Sequence, residues 1–168
     1  MQRCKVLKTC VYSIPVLLLL ACVEPAARTV VQPDPVLFGG STPCDFWIRN
    51  RLQVTDSAGC EFIKWEMKLF PVINDSGTFE MLINYGVSQP NTNGFKSGGK
   101  KVTVKGTYLK QSRESSDKTV SYLVLSAPTF PSKLYLVQIS NSVYHFSDER
   151  QKLLVGNGGF GYVLNKIK

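Results

Sequence analysis

The 168-residue chain is 43% hydrophobic, which is enough to bury the core of one domain. Its net charge is +8, but the lysines are spread along the sequence between apolar neighbours instead of forming one block. A nucleic-acid-binding surface would gather them beside stacking aromatic side chains, so nucleic acid is not an expected partner. The charge indicates at most a mild preference for anionic lipid headgroups.

The first 21 residues have the organisation of a secretory signal peptide. A basic start precedes an apolar run from Ile14 to Ala21, which is shorter than the roughly 20 residues that span a bilayer as a helix. The run ends in Leu19-Leu20-Ala21-Cys22, which resembles the processing box of bacterial lipoproteins. This resemblance predicts cleavage before Cys22.

Cys22 is therefore predicted to be the first mature residue and to carry acyl chains, which together anchor a protein to a membrane. The expected location is the cell envelope, in the outer membrane of a Gram-negative bacterium. Three basic residues and no acidic residue precede Cys22, so the mature chain has a net charge of about +5. Ordinary signal-peptide cleavage after Ala27 is the alternative, and it would discard Cys22.

Residues 22–35 predict a flexible tether between the lipid and the folded domain. They are small, unpatterned and interrupted by Pro25, Pro33 and Pro35. The folded domain is expected to span residues 36–168.

Two cysteines remain in the mature chain beside Cys22. Cys44 and Cys60 form an even pair in an exported protein, which predicts a disulfide bond, with two free thiols as the alternative. The bond would close a loop of 17 residues, worth roughly 3 kcal/mol by loop-closure entropy. The sequence has no Cys-x-x-Cys motif, so neither a metal site nor a cofactor is predicted.

The domain opens with a short apolar segment, residues 36–38, and continues through residues 39–43, whose composition is typical of a turn. Residues 46–52 then predict a short helix, with Thr42 or Asp45 as its N-cap. A strand entering a barrel could use the same residues.

Period-two alternation of apolar and polar residues predicts strands through the rest of the domain. Residues 113–118 are predicted as a polar hairpin tip. The predicted strands are residues 61–70, 79–85, 102–108, 120–125, 134–139, 143–146, 153–155 and 160–164.

Eight successive strands leave two unpaired edges unless the sheet closes on itself. We therefore expect an all-β, antiparallel barrel of about eight strands, with a two-sheet sandwich as the alternative. Large side chains on one face of the strands would fill most of its interior and leave a shallow mouth. These side chains are Trp65, Met67, Phe79, Met81, Tyr85 and Tyr108.

The segment from Val87 to Gly99 is the longest unpatterned connection, and loops of this length are often functional. Its amides beside one aromatic ring suit a polar or sugar-like ligand, or a partner's backbone, at the rim of the barrel. The candidate binding residues are Gln89, Asn91, Asn93 and Phe95. Alternatively, Phe95 folds back over the barrel and covers its end.

His145 and Asp148 are the most suggestive pair for catalysis. However, a single histidine within an alternating apolar stretch is usually a strand residue, and the sequence has no Gly-x-Ser-x-Gly elbow to present a nucleophilic serine. No enzymatic activity is predicted.

Residues 39–45, which follow the lipoprotein signal and open the strand pattern, resemble the start of the N-terminal barrel domain of NlpE-type envelope lipoproteins. Residues 154–164 look like the last hairpin of small lipocalin-like lipoproteins of Bacteroidota. The resemblance covers about residues 37–168 and implies a lipocalin-like barrel in the envelope. The second cysteine of the family's motif would fall near Trp47 or Ile48, so copper binding, which needs soft ligands, is not carried over.

Two functions from different classes follow. The first is a membrane-anchored, non-catalytic binding module whose barrel takes a small or amphipathic ligand. The second is an interaction lipoprotein whose filled barrel docks another envelope protein or senses envelope or metal stress. The free volume inside the barrel discriminates between them.

Overall fold

The computed structural model describes residues 34–55, 59–71, 74–115 and 118–167. The predicted signal peptide, the predicted lipid attachment residue Cys22 and most of the predicted tether lie outside these residues. They stay predictions.

Eight strands and one α-helix form the described part of the chain. In chain order they are β1 (Val36–Pro43), α1 (Phe46–Leu52), β2 (Phe62–Pro71), β3 (Ser76–Gly86), β4 (Lys100–Ser115), β5 (Lys118–Ser126), β6 (Leu134–Ser140), β7 (Val143–Ser147) and β8 (Val163–Lys166). A 3-10 turn covers Lys96–Gly98. No helix among the described residues is both long enough and apolar enough to cross a membrane.

Each strand pairs antiparallel with the next one, and β8 pairs with β1 to close the barrel. The predicted eight-stranded antiparallel barrel is therefore confirmed, and the sandwich is excluded. The closing seam is short: Phe38 pairs with Lys166, and Gly39 pairs with Asn165.

The turn predicted for residues 39–43 is wrong, because β1 runs through them. At Gly40 a Cβ atom would lie 2.1 Å from the carbonyl oxygen of Val163. Glycine is needed there because β8 passes too close to β1 for a side chain, and not because the chain turns.

Three strand predictions also differ from the structure. Residues 153–155 form only an isolated bridge to Ser147, and β8 begins at Val163 instead of residue 160. The predicted hairpin tip is largely strand, since β4 and β5 pair as far as Arg113 with Val120 and beyond. Backbone pairing does not require apolar side chains, so a strand can extend past its apolar pattern.

The barrel interior is filled by side chains, as predicted. Of the six residues expected to point inward, five are buried and Tyr85 is half-buried. The indole nitrogen of Trp65 donates a hydrogen bond of 2.9 Å to Thr42 Oγ1, so this buried polar pair is satisfied.

Helix α1 closes one end of the barrel. Its Ile48 is fully buried within the core, and Asp45 caps its N-terminus by accepting a hydrogen bond of 3.1 Å from the Ile48 amide. Asp45 also accepts a hydrogen bond from the buried hydroxyl of Tyr162, which precedes β8. This confirms the predicted helix and its Asp45 cap.

The Cys44–Cys60 disulfide encloses the segment that contains α1. The two Cα atoms lie 5.7 Å apart and the two sulfurs are joined, as the sequence predicted. The Cys44 amide donates to the Glu61 carbonyl at 3.1 Å, which continues the β1–β2 pairing beyond the strands. The disulfide thus fastens both ends of the helical segment at the rim.

The two ends of the barrel differ in their connections. At the end that α1 closes, which we call the closed end, the connections include residues 87–99, 127–133 and 148–162. At the opposite end, which we call the open end, the connections are two to four residues long. The loop of residues 87–99 therefore lies at the closed end, and the expectation that it borders an open mouth is wrong.

Candidate functional site

The open end of the barrel contains a cup of about 220 Å³. Every second residue of a barrel strand points into the barrel. The cup is formed by the last of these inward-pointing residues at the open end, where the interior meets solvent. Its floor is apolar and consists of the buried side chains of Phe38, Leu69 and Leu123. The described chain enters the barrel at the lip of this cup, at Val36.

Two tyrosines form one wall of the cup. Tyr108 of β4 and Tyr144 of β7 are largely buried, and Tyr144 packs edge-to-face on Phe38 with the ring centres 5.1 Å apart. Burial raises the pKa of both hydroxyls above the ordinary value of 10.0, and proximity to Tyr108 raises the pKa of Tyr144 further. Both hydroxyls are therefore neutral at physiological pH and can donate hydrogen bonds.

Two lysines stand at the lip of the cup. Lys110 follows Tyr108 by one inward step on β4, and Lys166 pairs with Phe38 across the closing seam. Both side chains are exposed, and neither forms an ion pair with a carboxylate within the described part of the chain. Their charges are thus available to a ligand.

The cup suits a molecule that is apolar at one end and anionic at the other. The apolar part would leave water against Phe38, Leu69 and Leu123, and this burial is the main driving force for small-molecule binding in pockets. The two ammonium groups and the tyrosine hydroxyls would then meet the anionic group at the lip. At about 220 Å³ the cup lies below the usual range of about 300–1,000 Å³ for complete ligands, so it has room for only one part of a larger molecule.

The predicted rim residues lie elsewhere, on the outer wall of the barrel at the closed end. A cleft of about 340 Å³ is found there, and Asn93 lines it, but Gln89 and Asn91 are exposed and do not line it. Phe95 is only 4% exposed and stacks on Phe62, so its ring is a cover and not an exposed platform. The structure brings one of the four predicted residues into a cleft.

A third concavity lies beside α1 at the closed end. It measures about 40 Å³ and is bordered by Leu52, Ile83, Val104 and Phe130. This volume has room for a water molecule or two at most, and its lining is mainly apolar. Inside the barrel, the described residues therefore leave no room for a ligand at the closed end, because α1 fills it.

His145 is half-buried, and its Nδ1 lies 2.8 Å from the carbonyl oxygen of Phe146. A carbonyl oxygen can only accept, so Nδ1 is the donor in this contact and the side chain has a structural partner. Among the described residues, no group of three or more His, Cys, Asp or Glu side chains could hold a metal ion. Neither the contact of His145 nor the grouping of potential metal ligands supports a catalytic site.

Sequence reasoning missed the cup because its residues come from six strands. One signal was available: Lys110 continues the inward row of Val102, Val104 and Tyr108, so the alternation places a cation at the end of an apolar row. Lys166 gave no such signal, because its neighbour Phe38 lies at the other end of the domain sequence.

No protein-family model, no curated protein and no solved structure matches this chain. The resemblance to NlpE-type envelope lipoproteins therefore stays a prediction.

Proposed function

We propose that this protein is a lipid-anchored envelope lipoprotein whose barrel binds an anionic amphiphile in the cup at its open end. The observation that carries the proposal is the combination of an apolar floor with two lysines at the lip that form no ion pair within the described residues. The positive net charge of the mature chain, about +5, also attracts an anionic ligand at longer range.

The anchor is proposed from the sequence, because the Leu19 to Cys22 box predicts acylation at Cys22. Cys22→Ser should release the protein from the membrane into the soluble envelope fraction. Fractionation followed by immunoblotting measures this, and unchanged membrane partition of the variant would refute the anchor.

Binding in the cup is tested with dodecanoate as an anionic probe and dodecanol as its neutral counterpart, both at submicellar concentration. Isothermal titration calorimetry on the mature chain in phosphatidylcholine nanodiscs should show saturable binding of dodecanoate. The double variant Lys110→Gln, Lys166→Gln should weaken it about fivefold, because two exposed charge contacts are worth roughly 1 kcal/mol together. The affinity for dodecanol, which has no charge, should be the same in the double variant as in the wild type.

Lys105→Gln is the matched control, since Lys105 lies on the same strand but faces outward and pairs with Glu80 at 3.4 Å. It should leave dodecanoate binding unchanged. Equal loss in the control and in the double variant would show that only overall charge matters, and would refute the cup as the site.

An interaction lipoprotein is the second candidate, and the filled interior is the observation in its favour. Native mass spectrometry of the mature protein purified from its own envelope separates the two. A retained small molecule supports the binding module. A protein without one, together with a failure to bind either probe, supports docking instead.

A further inference from the structure

The cleft of about 340 Å³ on the outer wall is a second site, independent of the cup. It lies at the closed end, on the outward face of β1 and β2, whereas the cup opens at the other end. Ser41 of the cleft and Val36 of the cup lip are five residues apart on β1, which corresponds to about 17 Å along the strand. The two sites share no lining residue.

An aromatic stack forms the apolar side of the cleft. Phe62 alternates with the inward-pointing Ile63 and so points outward, yet it is only 4% exposed, because Phe95 and Phe160 both stack on it. The ring centres lie 4.2 Å and 4.7 Å from that of Phe62, and none of these three residues belongs to the buried core cluster. Phe160 is half-buried, so only part of its ring is available to a ligand.

The polar side of the cleft belongs to a loop that its own hydrogen bonds hold in shape. Ser88 and Phe95 pair as a small hairpin, and the Ser88 amide donates to Glu61 Oε2 at 2.9 Å. The Thr92 hydroxyl donates to the Gln89 carbonyl at 3.1 Å and accepts from the Gly94 amide at 3.0 Å. A loop ordered in this way has a lower backbone entropy cost on binding than a loop that must first fold.

Three side chains at the cleft have polar groups without a partner among the described residues. Neither the Ser41 hydroxyl nor the Asn93 amide forms a hydrogen bond there, and Lys64 forms no ion pair. The Lys64 ammonium lies 6.0 Å from the ring centre of Phe95, above the aromatic stack. The cleft thus combines an aromatic surface, a hydroxyl, an amide and a cation.

We propose that this cleft binds an acidic saccharide. A sugar ring has a face of polarised C–H groups, which packs on the negative face of an aromatic ring, here Phe160. Its hydroxyls both donate and accept, which matches the hydroxyl of Ser41 and the amide of Asn93. A carboxylate on the sugar would pair with Lys64. A wholly apolar ligand would leave these polar groups desolvated and unpaired, which is costly.

The test titrates the mature chain in phosphatidylcholine nanodiscs with two hexasaccharides, one of galacturonic acid and one of neutral glucose, by calorimetry. The acidic hexasaccharide should bind with the higher affinity. Asn93→Ala should raise its dissociation constant about fivefold, the equivalent of one hydrogen bond. Lys64→Gln should raise it about two- to threefold, as expected for one surface charge contact, and leave binding of the neutral hexasaccharide unchanged.

Gln89→Ala is the matched control, because Gln89 lies in the same loop but outside the cleft. It should leave both affinities unchanged, and so should the cup variant Lys110→Gln, Lys166→Gln. No binding of the acidic hexasaccharide at millimolar concentration would overturn the proposal, as would equal losses in Gln89→Ala and Asn93→Ala. Equal affinity for the two hexasaccharides would overturn the role of Lys64.

Discussion

The two ends of the barrel are built from different kinds of residues. The closed end holds α1, the Cys44–Cys60 disulfide and the long connections, and Ile48 is fully buried there. The open end has short turns, and exposed lysines at positions 110 and 166 stand over an apolar floor. One end completes the core, whereas the other leaves it accessible.

In the interior of the barrel, this difference separates the contacts that stabilise the fold from the residues of the proposed binding cup. Side chains at the closed end make buried contacts, so their loss should lower the free energy of unfolding. The lysines at the open end make no ion pair within the described residues, so their loss should change ligand capture and leave stability within about 0.5 kcal/mol. The predictions below test this division.

Phe95→Ala should have the largest effect on stability. It removes a ring that is 4% exposed and uncovers Phe62, and truncation of a buried phenylalanine costs about 3–5 kcal/mol. Urea denaturation of the mature chain measures the loss. Phe46→Ala is the control, since Phe46 is 72% exposed and should change stability by less than about 0.5 kcal/mol. A loss below about 1 kcal/mol for Phe95→Ala would show that the loop is not docked through this ring.

Ile48→Ala should cost about 2–5 kcal/mol, because it leaves a cavity where α1 closes the barrel. The same denaturation experiment measures this, with Ile139→Ala as the matched control at an exposed position. If both variants lost the same amount, α1 would not complete the core. The comparison between the two ends would then fail.

Removing the disulfide by Cys44→Ala with Cys60→Ala should cost roughly 3 kcal/mol, because the unfolded chain gains the freedom of an open loop. Titration of free thiols in the denatured, unreduced wild-type chain should find none at these two positions. Two reactive thiols there would contradict the bond, and the double variant would then have little effect.

Tyr162→Phe should cost about 1 kcal/mol, since it removes the buried hydroxyl that donates to Asp45, whereas the exposed carboxylate of Asp45 can accept from water instead. Tyr122→Phe, at a half-buried position on β5, should cost less than about 0.5 kcal/mol. Equal and small losses would mean that the link between the α1 cap and β8 does not stabilise the closed end.

Acid should loosen the loop of residues 87–99 before it affects the barrel. The hydrogen bond from Ser88 lowers the pKa of Glu61 below 4.5, so this contact is present above pH 4.5 and is lost as the pH falls through the lowered pKa. Amide hydrogen exchange should show Ser88 losing protection in that range, with the strand amides still protected. Glu61→Gln should abolish the pH step, whereas Glu66→Gln on the same strand should retain it.

Much of the fold could be predicted from the sequence, because the alternation of apolar and polar residues along a strand shows which face is buried. In β2 the apolar residues at 63, 65, 67 and 69 are all buried, and Asp45 caps α1 as its position before an apolar turn indicated. The number of strands was right, although residues 153–155 were wrongly included and β1 was missed, because residues 36–38 showed only a short apolar segment. Composition alone could not distinguish a glycine needed for a turn from Gly40, which is needed because β8 passes close to β1 at this position.

By itself, the sequence predicted the barrel, the short helix and the pairing of Cys44 with Cys60, each with one alternative that the structure excludes. Only the tertiary structure decided which end is open and which side chains meet at each site. The cup depends on Phe38 lying beside Lys166, and the cleft depends on Phe160 stacking on Phe62. These pairs lie far apart in the chain, and a local pattern has no information about contacts that form only when the barrel closes.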